Sequence, residues 1–224
     1  MATVIIQART SSKRFPNKVL KKLFDMQILY FLYLRLKKSK VIKNIIISTS
    51  NLNVDKKIIN ICKKNKIFFF KGSHQNVILR LYLTAKKYNL KSFVRINADS
   101  PMLDLKIVEK GIKIYKKKKV DIVTNVFPRS YPKGQSVEVI RTSTIKEIIK
   151  KKLDKNDKEH VTRYIYRNPS KFKIINFKNK KNKSKLNLSI DKKQDLINMM
   201  KLLKNYKKNL INIKLNKLLQ IYEK

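Results

Sequence analysis

Apolar residues in this chain fall into short runs separated by longer stretches of helical spacing. The first run, TVIIQ at 3–7, ends in a polar loop and predicts a buried strand. Helical spacing follows at 28–36, a second strand (NIIIST) at 44–49, a helix at 55–64 and a third strand (IFFFK) at 67–71. The next helix, at 76–88, puts Val77, Leu81, Ala85 and Tyr88 on one face. A strand (SFVRIN) at 92–97, a helix at 105–115 and a strand (VDIVT) at 120–124 continue the alternation. Short strands alternating with helices describe βαβ units, hence a mainly parallel sheet covered on both faces.

The rhythm changes after Asn125. The stretch 126–134 (VFPRSYPKG) holds two prolines and a glycine and reads as a loop. A strand is expected at 135–141, helices at 142–152 and 157–167, late strands at 172–177 and 186–190, and an amphipathic helical tail from Gln194. With 224 residues, no internal repeat and no Gly/Ser/Pro linker, one domain spanning 1–224 is expected.

Composition sharpens this picture in three ways. One cysteine, Cys62, excludes an intramolecular disulfide framework and a multi-cysteine zinc site. No apolar run reaches the roughly 18 residues of a membrane span, and the amino terminus reads as a strand rather than a signal peptide. A soluble protein of a reducing, cytoplasmic compartment is therefore expected. The third feature is charge: 56 Lys and Arg stand against 14 Asp and Glu, a net +42. Such a charge first suggests a polyanion partner. Yet Lys, Asn and Ile abound while Gly, Pro and Trp are scarce, the pattern an A/T-rich coding sequence produces. The lysines are spread over every segment, and arginine, whose fork reads guanine, is sparse. Compositional drift is the favoured explanation, with a basic nucleic-acid-binding protein as the alternative.

Candidate chemistry gathers where strands end. The loop QARTSSKRFPNKVL at 7–20 follows the first strand and supplies Arg9, Ser11, Ser12, Lys13, Arg14 and Lys18. In an open α/β sheet, ligands bind at the carboxyl ends of the strands. Converging cations and backbone N–H groups there suit a polyphosphate, although a loop without glycine is neither a Walker A loop nor a dinucleotide fingerprint. Asp99, in RINADSPMLD, occupies the corresponding position after another strand. A carboxylate beside a phosphate loop is what Mg²⁺ uses. The competing role for Asp99 is helix capping, for which Asp104 is better placed. Asp191, in LSID, reads equally as a second metal carboxylate or as the N-cap of the last helix.

His160 and Tyr164, four apart in EHVTRYIY, would share a helix face and could line a polar pocket, though a structural histidine is the commoner outcome. His74 has no evident partner and Cys62 no catalytic histidine, so nucleophilic catalysis is not expected.

Taken together, IIQARTSSKRFPNKVL, KGSHQNVILRLYLTAKKY, RINADSPMLD, NVFPRSYPKGQSVEV, EHVTRYIY and LSIDKKQD resemble successive blocks of the cytidylyltransferase family. The similarity runs over roughly 3–200 and is to the CMP-sugar synthetases, most nearly the spore-coat-polysaccharide branch related to acylneuraminate and 3-deoxy-manno-octulosonate enzymes. The resemblance implies a nucleotide-diphosphosugar transferase (Rossmann-like) α/β fold, with an acceptor and dimerisation excursion at about 126–167 and a homodimer. It also implies Mg²⁺-dependent transfer of CMP from CTP to the anomeric hydroxyl of a sugar acid, releasing pyrophosphate.

By position, the resemblance makes Arg9, Lys18 and Asp99 catalytic. It assigns the nucleotide to Ala8, Arg9, Ser12, Arg14, Lys18, Asn76, Arg80 and Asp99, with Asn76 and Arg80 near the base. Arg129, Tyr131, Gln135, Glu138 and His160 would face the acceptor, and Asp99 with Asp191 would hold the metal. Asn17 and Ala98 stand where the family commonly has glycine, and Ser136 where an acid is common. A glycosyltransferase or another nucleotide-sugar enzyme on the same fold is the nearest alternative activity.

Overall fold

The computed structural model describes residues 1–222. Strand β1 (Ala2–Gln7) lies in the middle of the molecule, buried on both faces. The loop after it leads through a two-residue hairpin, β2 (Lys22–Leu23) and β3 (Met26–Gln27), into α1 (Ile28–Lys37). β4 (Ile42–Ser50), α2 (Lys56–Lys64), β5 (Phe68–Gly72), α3 (Val77–Lys87), β6 (Ser92–Asn97), α4 (Leu105–Lys117) and β7 (Ile122–Thr124) follow in alternation. Then come β8 (Glu138–Arg141), α5 (Thr142–Ile148), α6 (Lys155–Glu159), α7 (Arg163–Arg167), β9 (Ile174–Asn176), α8 (Lys193–Leu203) and α9 (Leu215–Tyr222).

Seven strands form one sheet in the order β5-β4-β1-β6-β8-β7-β9. β1 runs parallel to β4 and β6, β4 to β5, and β7 to β9, whereas β8 is antiparallel to both its neighbours. This is the mixed, mostly parallel sheet expected. The order also explains where a ligand must go. From β1 the chain first builds outward through β4 and β5, then returns to place β6 on the other side of β1. That reversal opens a crevice at the carboxyl ends of β1 and β6.

Alternation along β1 divides the core. Val4 and Ile6 pack with α1, α2, α4, α8 and α9, and Ile5 packs with α3, α5 and α7 on the opposite face. Each aliphatic side chain so buried contributes roughly 1.5–3 kcal/mol. Helix α4 buries Ile107, Val108, Gly111 and Ile112 at helical spacing, and the Asp104 carboxylate caps it by accepting the Lys106 N–H at 2.8 Å. Gly111 faces Val137 closely enough that a Cβ would lie 3.1 Å from Val137 Cγ1.

Five expected elements differ. The helix expected at 157–167 is two pieces, α6 and α7, because His160 leaves helical geometry at φ −101°, ψ 84° and Val161 turns into the core. His160 and Tyr164 therefore do not share one helix face. The segment 186–190 forms no ladder beyond an isolated bridge between Asn187 and Lys133. There the Asn187 side chain accepts the Ser189 N–H at 3.0 Å, a local bond that competes with strand pairing. The helix expected at 142–152 ends at Ile148, and the strand expected at 135–141 begins only at Glu138. The tail is α8 and α9 separated by a kinked 3₁₀ stretch, Lys204–Asn212. The stretch 126–167 supplies β8 to the sheet and α5 and α7 to one helical layer. Among the described residues, no helix is long and apolar enough to cross a membrane.

Candidate active site

A cavity of about 1020 Å³ opens at the switch point, walled by the loop after β1, the ends of β6 and β5, and α6. Its size suits a nucleotide together with a second small molecule. The loop after β1 is shaped by two features. Asp55, buried just before α2, accepts the Thr10 N–H at 2.7 Å and the Thr10 hydroxyl at 2.6 Å. The Thr10 carbonyl in turn accepts the N–H groups of Ser12 and Asn17 at 2.9 and 2.8 Å. Asn17 adopts φ 57°, ψ 20°, a left-handed conformation that glycine takes freely and asparagine tolerates better than most residues. The departure from glycine at this position is thus conformationally mild. Ala98, the other departure, is not among the residues with positive φ.

Lys18 is delivered by this loop into the crevice. Its Nζ donates to Asp99 Oδ2 at 2.8 Å and to Asp191 Oδ1 at 2.9 Å. Asp99 arrives from the end of β6. Asp191 arrives because the Ile190 N–H donates to the Asp99 carbonyl at 2.9 Å, pinning the two aspartates side by side. Arg14 reaches Asp191 from the solvent side at 3.1 Å. Partial burial acts to raise the Asp191 pKa, but Lys18, with help from Arg14 and Lys133, holds it below the usual carboxylate range. Asp191 is not a helix cap, since Asp195 accepts the N–H groups of Asp191 and Lys192 at that helix start.

The donor chemistry of this corner fits Mg²⁺. Two hard carboxylates converge on one cationic point, while the described residues offer no cluster of three or more His, Cys, Asp or Glu. Mg²⁺ commonly takes one or two carboxylates and completes its shell with phosphate oxygens and water.

On the opposite wall, Arg9 Nη2 pairs with Glu159 Oε1 at 2.6 Å, linking the loop after β1 to α6. The Arg9 bond keeps the Glu159 carboxyl below its ordinary pKa despite some burial. Helix α6 is itself tied to α7 by Arg163 and Arg167, which share Asp154 and the buried Asp157. This presents Lys155, Lys158, Glu159 and His160 to the cavity. Arg80, on α3, lines the same wall and is fully buried; burial, and then the charge of Arg9, lower its pKa to about 10.

Of the residues singled out in the sequence, Arg9, Ser12, Arg14, Lys18, Arg80, Asp99, His160 and Asp191 come together around this cavity. Ala8 is buried behind it, donating its N–H to Ser48, and Asn76 caps α3 by accepting the Leu79 N–H. Four expected acceptor contacts lie outside the lining. Gln135 is fully buried, with its side chain engaged by Met102 and Asp104. Tyr131 packs edge-on against Phe177, and Arg129 donates to Ser136 Oγ at 3.1 Å. Glu138 is buried and accepts from Arg95, Thr162 and Tyr166. It bears on the cavity through Arg95, which also donates to Gln7 and Asn97.

Residues that sequence reasoning did not assign are Asp55, Arg95, Glu159 and the α6 lysines. Only Glu159 carried a signal, as one of the scarce acids beside His160. Cys62 is buried, and that burial pushes its thiol pKa up to about 12.

A loop rich in Arg and Lys beside paired aspartates at the switch point of such a sheet is the arrangement of a nucleotidyltransferase. The chain is a member of the cytidylyltransferase family, whose profile matches residues 3–224. It is 34% identical to an uncharacterised protein of Methanocaldococcus jannaschii over 98% of this chain and 89% of that one. It is 27% identical to the spore coat polysaccharide biosynthesis protein SpsF of Bacillus subtilis over 76% and 72% of the two chains. A cytidylyltransferase structure from Leptospira borgpetersenii superposes with a TM-score of 0.83, at 28% identity, over 96% of this chain and 99% of that one. A CMP:2-keto-3-deoxy-manno-octonic acid synthetase solved with CTP shares the fold, with a TM-score of 0.71 at 14% identity over 92% and 99%.

Proposed function

We propose that this cytidylyltransferase transfers CMP from CTP to the anomeric hydroxyl of a sugar acid, with Mg²⁺, for a surface polysaccharide or related glycan. The observation that carries the reading is the Lys18 ammonium held between Asp99 and Asp191 beside the arginine-bearing loop. Phosphoryl transfer asks an enzyme chiefly to position the groups and neutralise developing charge. Arg9, Arg14 and Lys18 supply that cationic environment, with Ser12 and the loop N–H groups fixing the phosphate chain. Asp99 and Asp191 would hold Mg²⁺, which supplies neutralisation of the phosphate oxygens when bound.

On this reading Lys18 exchanges its carboxylate partners for phosphate oxygens as substrate enters. The acceptor hydroxyl attacks the α-phosphorus, and the departing pyrophosphate stays on the loop cations. Charge balance supports an anionic acceptor. Eight Lys and Arg line the cavity against three carboxylates, an excess of five. A triphosphate with its metal carries about two negative charges at neutral pH, so cationic capacity remains for a carboxylate. The CTP complex of the distantly related synthetase and the SpsF likeness agree with this assignment.

The test is pyrophosphate release from CTP and Mg²⁺ with a panel that includes acylneuraminate and 3-deoxy-manno-octulosonate acceptors. Release with a sugar acid but not its neutral analogue is expected. No release with any acid, alongside turnover of a neutral sugar or of another nucleotide, would overturn it.

A further inference from the structure

Among the described residues, three carboxylates line the cavity. Asp99 and Asp191 both face Lys18, whereas Glu159 stands on the opposite wall and holds Arg9. Helix chemistry does not account for an acid at this place. Glu159 is the last residue of α6, the end of a helix where the backbone dipole disfavours negative charge. Its neighbours on the same short helix, Lys155 and Lys158, present positive charge to the same cavity.

The backbone on each side of the Arg9–Glu159 pair is anchored. Thr10, next to Arg9, gives its N–H and its hydroxyl to buried Asp55. Helix α6 is capped by Asp154, which accepts the Asp157 N–H at 2.6 Å, and Asp157 accepts from Arg163 at 2.6 Å. The two paired side chains are themselves 37% and 36% exposed. The guanidinium can therefore change partners by rotation about its own side-chain bonds, with both walls left where they are. A fork that donates to a carboxylate donates to phosphate oxygens through the same N–H groups. Glu159 and a phosphate chain on the loop after β1 thus compete for one cation.

We propose that Glu159 is a positioning residue that acts through Arg9: it competes with the phosphate chain for the guanidinium and reclaims it as pyrophosphate leaves. This rests on the reading of the loop after β1 as the triphosphate site. A cavity with five more cations than carboxylates grips a polyanion tightly, and turnover requires that the product be let go. Glu159 is available for this task because it takes no part in the proposed metal site.

The experiment is calorimetric titration of the full chain with pyrophosphate and, separately, with CTP, each with Mg²⁺. Glu159→Gln keeps a hydrogen-bond acceptor for Arg9 and removes only the charge. It should bind pyrophosphate about tenfold tighter, the scale of one negative charge removed from beside a polyanion at a partly solvated site. Release measured by a chase should slow by a similar factor. In an Arg9→Ala background the same substitution should gain much less, since the competition runs through that guanidinium. Glu147→Gln removes an exposed carboxylate that pairs with Lys150 outside the cavity lining, and should leave the affinity unchanged. Thermal melting would confirm that each variant folds. If Glu159 only braces Arg9 for phosphate, Glu159→Gln will bind pyrophosphate more weakly or as wild type does. That result would overturn the inference and leave the CTP reading intact, as would an equal gain in the Arg9→Ala background or in Glu147→Gln. Wild type that binds neither CTP nor pyrophosphate would overturn the triphosphate reading, and this inference with it.

Discussion

Lys18 and Asp191 stand 173 positions apart in the chain, yet Nζ and Oδ1 meet at 2.9 Å. Asp99 completes the contact from the end of β6, so three distant segments converge on one ammonium group. Removing either carboxylate should damage chemistry more than folding. Asp99→Asn and Asp191→Asn are expected to lower kcat by about 100-fold or more, the scale of lost transition-state electrostatics. Steady-state pyrophosphate release, with melting to confirm the fold, checks this. Retained Mg²⁺-dependent turnover would refute the metal assignment.

The same cluster sets a pH dependence. Asp191 is held below its ordinary pKa by Lys18, against the effect of burial, and Glu159 is held low by Arg9. A carboxylate depressed in the folded state binds fewer protons there than in the unfolded chain. Its stabilisation is present above the unfolded value, about 4, and is lost as pH falls through the lower folded value. Melting temperature should therefore decline as pH drops from about 5 to about 3. Asp191→Asn should make that decline shallower, and an identical slope would remove Asp191 from the explanation.

Glu138 is expected to act through Arg95 rather than on the acceptor. Glu138→Ala leaves the Arg95 guanidinium, largely buried, without its carboxylate, and should cost about 3 kcal/mol in denaturant unfolding. Glu138→Gln, which keeps a hydrogen-bond acceptor, should cost less. Equal stability of Glu138→Ala and wild type would show that the pair contributes little.

Gly134 couples stability to the site. It has φ +86°, and a Cβ there would lie 2.5 Å from the Leu188 carbonyl carbon and oxygen. That backbone leads within three residues to Asp191. Gly134→Ala is expected to destabilise by roughly 2–4 kcal/mol, combining backbone strain with a forced shift, and to lower turnover as Asp191 moves. Unfolding and kinetic measurements on the same preparation check both effects.

Asn17 gives the opposite expectation. Its left-handed conformation is one that asparagine accepts, so Asn17→Gly should change stability by less than about 1 kcal/mol. A large rise in nucleotide affinity on making that change would show instead that the Asn17 side chain crowds the phosphates.

Much of this molecule was legible in the order of its residues. Period-two burial along β1 and period-3.6 burial along α4 arise from local geometry, so apolar spacing alone foretold the alternation of strands and helices. The loop after β1 and Asp99 after β6 were legible because an open parallel sheet presents ligands at strand ends wherever the chain wanders. Spacing could not reveal pairings made through space. Arg9 meets Glu159 across the cavity, and Asp55 holds Thr10. Gln135 and Glu138, expected by resemblance to face the acceptor, are both buried in the fold.

The net charge of +42 was plain from composition, but its meaning was not. Tertiary structure decided which cations matter, because electrostatic influence falls with distance and exposure. Residue order determined the elements and the loop that carries Lys18. Only the folded chain, by returning Asp191 beside Asp99, decided that Lys18 would be held between two carboxylates.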